Sequence, residues 1–144
     1  MARTVAEKMG LKAGYRSFIR GAPPSVIRAM HLPALKRVSA MRGAFDYVHL
    51  FVNSQSQMDR QFRSAANHLR PGGKLWVSWP KGGQLGTDLT LPAVIRIGYS
   101  HGLVESTTLS VSAEWSGMKF THPKAGKIYR NSYGKLPSAR KTMD

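Results

Sequence analysis

"FDYVHLFVNSQSQMDRQFRSAANHLRPGGKLWVSWPKGG", residues 45–83, holds two apolar runs separated by one stretch of helical period. Residues 45–52 are nearly continuous in apolar and aromatic side chains, the pattern of a strand covered on both faces of a parallel sheet. From Ser54 the period changes. Met58, Phe62, Ala65, Ala66 and Leu69 fall at i, i+4, i+7, i+8 and i+11, one stripe of an amphipathic helix. Ser54 with Gln57 has the spacing of a capping box, Asp59 with Arg63 that of an i,i+4 ion pair, and Pro71 ends the helix. "GGKLWVSW" then turns the chain into a second buried strand over residues 74–79. Strand, helix of about 16 residues, and strand with short connections make a βαβ unit, whose two strands run parallel.

Working outward, "YRSFIRG" at residues 15–21 predicts a short strand ending at Gly21. "GAPPS" then forces a turn, since Pro23 and Pro24 fix φ and donate no hydrogen bond. A short helix over residues 26–30 follows, and "ALKRVSA" is a weak second strand. Downstream, Asp88 or Thr90 caps a helix with Pro92 in its first turn, running to His101 with Gly102 as its stop. "LVESTTLSVSAEWSGMKFTH", residues 103–122, is rich in β-branched and aromatic residues and predicts an antiparallel pair at the sheet edge, turning between residues 113 and 117. After His122 the apolar periodicity ends. The expected fold is therefore one three-layer α/β domain over residues 1–122, a Rossmann-like sheet that is mainly parallel with an antiparallel pair at its C-terminal edge. Residues 1–12 are expected as a loose N-terminal arm, and residues 123–144 as a flexible basic tail.

The chain has 144 residues, enough for one core without staples. It contains no cysteine, which excludes a disulfide framework, a thiolate nucleophile and sulfur-ligated metal. No apolar run approaches the roughly 18 residues that span a bilayer, so the expectation is a cytoplasmic protein without a membrane partner. The 22 Lys and Arg exceed the seven Asp and Glu, for a net charge of +15. The excess sits at the ends: residues 1–42 carry nine cations against Glu7, and residues 123–144 carry six against Asp144. A pI near 10.9 argues for polyanionic partners rather than for any fold.

The pair "FDYVHLFV" and "LRPGGKLWVS", with a helix between and an antiparallel pair after, resembles the second half of class I methyltransferases over about 75 residues. Dispersed motifs over residues 9–122 ("MGLKAGYR", "VSWPK", "TDL", "HGLVE" and "EWSGMKF") are also similar to a family of small bacterial proteins classified as a domain of unknown function. That second resemblance implies the fold but brings no activity with it, and this chain departs from the family in its long basic C-terminal extension. The methyltransferase resemblance implies a glycine-rich turn after the first strand and an acid after the second, both of which hold the methyl donor. Here those positions read "FIRGAPPSVI" and Met41, Arg42, Gly43, with one glycine, two prolines and no acid. The reading therefore leans away from an enzyme and predicts no cofactor, with a degenerate S-adenosylmethionine-dependent methyltransferase kept as an alternative.

Two candidate sites remain. In open α/β sheets ligands sit beyond the carboxyl ends of the strands, where residues 21–25 and 79–88 both fall. The second loop offers Lys81, Gly82, Gly83, Thr87 and Asp88 beside Trp79, with Trp115 and Lys119 as an aromatic wall and second cation, suited to a small anionic metabolite. The plainer reading is that the glycines shape a turn, Lys81 pairs with Asp88 and the tryptophans are core. The tail interleaves Tyr129 and Tyr133 with Lys124, Lys127, Arg130, Lys135, Arg140 and Lys141, a composition for phosphate contact and base stacking on RNA or DNA. A charge run is also, often, only a solvated tail. The five histidines show no metal-ligand spacing and no adjacent acid, so no metal site is expected, and His49 reads as a satisfied core residue. No two-carboxylate pair or Gly-x-Ser-x-Gly elbow is present, so no catalytic residue is assigned.

Overall fold

In the computed structural model, which describes residues 3–137, the βαβ unit forms as the apolar periods require. Strand β3 (Phe45–Phe51) leads into helix α3 (Gln55–Asn67) and returns as β4 (Leu69–Pro80), parallel to β3. Ser54 caps α3 by accepting from the Gln57 N–H. The Gln57 side chain reaches back one residue further than a standard capping box, to the Asn53 N–H. β4 begins earlier than expected: Leu69 pairs with Phe45, residues 70–73 bulge out, and the ladder resumes at Lys74 opposite Tyr47. The "PGG" turn suits that bulge. Pro71 has no N–H to leave unpaired, Gly72 adopts φ +79°, and a side chain at Gly73 would fall 2.8 Å from the Arg70 carbonyl.

Around this unit lie α1 (Val5–Lys8), β1 (Arg16–Arg20), α2 (Pro24–Met30), β2 (Lys36–Arg37), α4 (Leu91–Ser100), β5 (Val104–Ser110) and β6 (Trp115–Thr121). The sheet order is β2-β1-β3-β4-β6-β5. β1 to β4 run parallel, and β6 lies antiparallel between β4 and β5, so the expected edge pair is present. Its turn comes slightly early, between Ser110 and Trp115.

Strand alternation divides the core in two. Phe18, Val48, Leu50, Leu75, Val77, Trp79, Met118 and Phe120 face α3 and α4, where Met58, Phe62, Val94 and Ile97 close the layer. Tyr47, Phe51, Trp76 and Val111 face α1 and α2, with Ala6, Met9, Val26 and Met30.

Two expectations about the ends need correction. Residues 3–12 are no loose arm: Thr4 and Glu7 form a reciprocal capping box on α1, and Ala6, Met9 and Leu11 are buried. Residues 123–137 contain no helix or strand, yet Tyr129 and Leu136 pack on the α3/α4 core and Gly134 lies against the Tyr99 ring. Apolar anchors spaced along a basic segment tie it down despite its charge. Arg140 and Lys141 lie outside the described residues.

Candidate functional site

At the carboxyl end of β4 the 79–88 loop comes together differently from either sequence reading. Lys81 donates through Nζ to the Ser110 hydroxyl, and its backbone N–H bonds the Glu114 carbonyl at 2.9 Å. Asp88 is not its partner. The Asp88 carboxylate instead accepts from the Gln55 N–H at 2.8 Å, satisfying a free donor in the first turn of α3. The exposed Gly82 and Gly83 take φ +59° and +74°, and Thr87 accepts from the Leu89 N–H. Trp79, Lys81, Leu91, Thr108 and Ser110 line a cavity of about 390 Å³. Trp115 does not join it, because its ring meets Phe51 on the opposite sheet face, 5.3 Å between centroids. Lys119 lies four residues beyond Trp115 on β6, opposite Trp76, where burial and then Lys74 lower its pKa.

A second cavity, about 590 Å³, opens at the carboxyl ends of β1 and β2 and is lined by Ile19, Arg20, Gly21, Arg37, Val38 and Ser39. Arg20 and Arg37 are the last residues of their strands, and the lining includes no acid. Sequence reasoning had located the strand end at Gly21 but missed this convergence, since only parallel pairing of β1 with the two-residue β2 brings the arginines together.

A third cavity, about 610 Å³, lies between α4 and the C-terminal segment. It gathers Arg130, Tyr133 and Lys135 from the tail with Arg96 and Ser100 from α4. Tyr133 is 52% exposed. Tyr129 lines the cavity too, with Lys127 Nζ 5.0 Å from its ring centroid and the Lys124 N–H donating to its hydroxyl, while Lys124 and Lys127 are not among the lining residues. Arg96 carried a signal that went unread, as the one charged residue of α4.

Beneath α1 and α2 lies a line of polar groups with no exposure at all. Tyr47 Oη is 2.6 Å from His49 Nδ1, and His49 Nε2 is 2.7 Å from Ser78 Oγ. Burial lowers the His49 pKa to about 3, so the imidazole is neutral, and burial likewise raises that of Tyr47. Such a line holds β3 and β4 in register as a satisfied core network, as read for His49. Among the described residues, no three His, Asp or Glu side chains gather as a metal site. His101 does have an acid, correcting the sequence reading: its Nε2 is 2.7 Å from Asp59 Oδ1, and Asp59 is not paired with Arg63.

No family model matches the sequence, and no curated protein does. Solved structures with a similar fold include a methyltransferase from Pyrococcus furiosus, at 14% identity and TM-score 0.54, with 76% of each chain covered. Another is a ribosomal protein L11 methylase from Lactobacillus delbrueckii subsp. bulgaricus, at 12% identity and TM-score 0.53, covering 83% of this chain and 76% of that one. A third is an S-adenosylmethionine-dependent methyltransferase from Clostridium acetobutylicum, at 8% identity and TM-score 0.55, covering 83% and 88%. The chain thus has a methyltransferase-like Rossmann fold, and at these identities the likeness extends to the fold alone.

The residues do not fit the methyl donor that this fold implies. Gly21 is spent on packing, since a side chain there would fall 2.7 Å from the Phe51 carbonyl. Pro23 and Pro24 supply no N–H, and Arg37 ends β2, where a carboxylate would hold ribose hydroxyls, with Arg20 beside it at the end of β1. A sulfonium cation meets repulsion there.

Proposed function

We propose that this protein is a non-enzymatic binder whose basic surface engages nucleic acid, RNA or DNA, through the phosphate backbone without reading sequence. One observation carries the reading: among the described residues, the only Lys or Arg paired with a carboxylate is Arg70, whose Nη1 is 2.8 Å from Asp46 Oδ1. The other described acids are engaged by neutral partners or by histidine. Glu7 accepts from the Thr4 N–H, Asp59 binds His101, Asp88 caps α3, and Glu105 accepts from the Tyr99 hydroxyl and Asn131. The cations are therefore left to attract phosphates and release condensed counterions. Fluorescence anisotropy of labelled RNA and DNA with the full chain tests this across a salt series. Affinity falling steeply with salt is expected, and a protein without salt-sensitive affinity for any nucleic acid would refute it.

A second reading, binding of a small anionic metabolite, is favoured by the cavity between Arg20 and Arg37 more than by the 79–88 loop, where Lys81 is already bonded to Ser110. A thermal-shift screen of phosphorylated and carboxylated metabolites should then give a hit that Arg37→Ala abolishes. A hit lost in Lys81→Ala instead would return the site to the loop. Degenerate methyl transfer draws support from the fold alone, and a blank calorimetric titration with S-adenosylmethionine would remove it.

A further inference from the structure

We infer that the cleft between α4 and the C-terminal segment is a binding site for unpaired nucleotides, so that the protein prefers single-stranded nucleic acid to duplex. This rests on the nucleic-acid reading above and gives it a place and a substrate class.

The cleft is built rather than accidental. Asn131 Nδ2 donates to Glu105, whose other partner is the Tyr99 hydroxyl, and the Asn131 side chain accepts from the Tyr133 N–H at 2.8 Å, setting the turn that presents the Tyr133 ring. Gly134 is required where the segment crosses Tyr99. A side chain there would fall 2.8 Å from Tyr99, so the glycine lets the segment lie flat on α4. Tyr129 and Leu136 bracket the turn with apolar anchors.

The lining matches one polymer chemistry. Arg96, Arg130 and Lys135 supply three cations, and among the described residues none of them is paired with a carboxylate. Glu105 is not among the lining residues and its Oε1 is engaged by Tyr99 and Asn131, so three lining cations outnumber the one acid bonded behind them. The guanidinium of Arg96, a lining residue, is fixed by the Gln55 side chain, Nη2 to Oε1 at 3.0 Å. An exposed phenol ring among cations offers a stacking platform with phosphate contacts beside it, the combination that binds single strands independently of sequence. A volume of about 610 Å³ lies within the range of small-ligand pockets and admits splayed bases. A duplex keeps its bases stacked inside, where the ring cannot reach them. An acidic peptide offers charge but no base.

The test uses the full chain with labelled oligouridine, oligothymidine and a duplex of equal length, each over a salt series. Wild type should favour the single strands, and equal affinity for the two would show that the ribose hydroxyl is not read. Tyr133→Ala should weaken single-strand binding on the order of tenfold with an unchanged salt slope, while Tyr133→Phe keeps it. Arg130→Ala with Lys135→Ala should lower the slope by about 0.7 for each phosphate that is no longer neutralised. Wild-type affinity for single strands in both variants, each folded by thermal melting, would overturn the cleft and leave the general basic-surface reading intact. Poly-glutamate displacing oligouridine as well as oligothymidine does would also overturn it. No nucleic-acid binding by wild type at all would overturn both.

Discussion

His49 on β3 and Ser78 on β4 meet in the core with Nε2 and Oγ 2.7 Å apart, while Tyr47 closes the other side of the imidazole at 2.6 Å. Residues 29 apart in sequence are tied across adjacent strands by a ring that must stay neutral to stay buried.

A pH dependence follows. Folding lowers the His49 pKa from an ordinary 6.5 to about 3, so between those values the unfolded chain binds the extra proton. The contribution is complete above pH 6.5 and is lost as pH falls toward 3, with a slope from this one group of at most about 1.4 kcal/mol per pH unit. Urea denaturation of wild type and His49→Gln at pH 7 and pH 5 measures it. The variant should be less stable at pH 7 and lose less on acidification; parallel losses would place the pH sensitivity elsewhere.

Gly98 on α4 faces the buried Phe120 ring so closely that a methyl group would fall 2.1 Å from it. Alanine ordinarily gains about 1 kcal/mol over glycine within a helix. Here overpacking wins, because Phe120 also touches Phe62 and has no room to swing aside. Gly98→Ala should cost a net 1–3 kcal/mol, roughly, and lower the Tm by several degrees. A raised Tm would contradict this packing.

Asp88 and Lys81 should behave as strangers. Asp88→Ala removes the carboxylate at the start of α3 and should cost about 0.5–2 kcal/mol, whereas Lys81→Ala, losing one bond to Ser110, should stay within about 0.5 kcal/mol. In a double-mutant cycle by chemical denaturation the two should add within about 0.5 kcal/mol. A larger coupling would restore the direct pair.

Gly21 combines two constraints, φ +80° and the 2.7 Å approach to the Phe51 carbonyl. Gly21→Ala meets both, so destabilisation of more than about 1 kcal/mol is expected, since backbone cannot yield as a flexible side chain does. A melting temperature equal to that of wild type would show that the β1–α2 turn relaxes freely.

What could be read from the chain alone was whatever neighbours in sequence decide. The apolar run of β3, the stripe through Met58 and Phe62, the caps at Ser54 and Thr90 and the turn at Gly72 are local matters of period and φ, and they stand as read. Asp59 shows the limit. Its i,i+4 partner Arg63 was the local choice, but α4 brings His101 to 2.7 Å, and a contact between packed helices displaced the exposed pair. The packing of Met9, Tyr129 and Leu136 was not legible for the same reason, since these residues look isolated until the folded core is there to receive them.

The sequence by itself thus determined the βαβ unit, the caps of α3 and α4 and a charge of +15, because hydrophobic period, capping and composition act over a few residues or over none. The tertiary structure alone decided which cations share a cavity, that Trp79 and Trp115 lie on opposite sheet faces, and that Arg96 and Tyr133 line one cleft. Those relations depend on strand order and on where the chain returns, and burial of apolar surface selects them only once the whole sheet has formed.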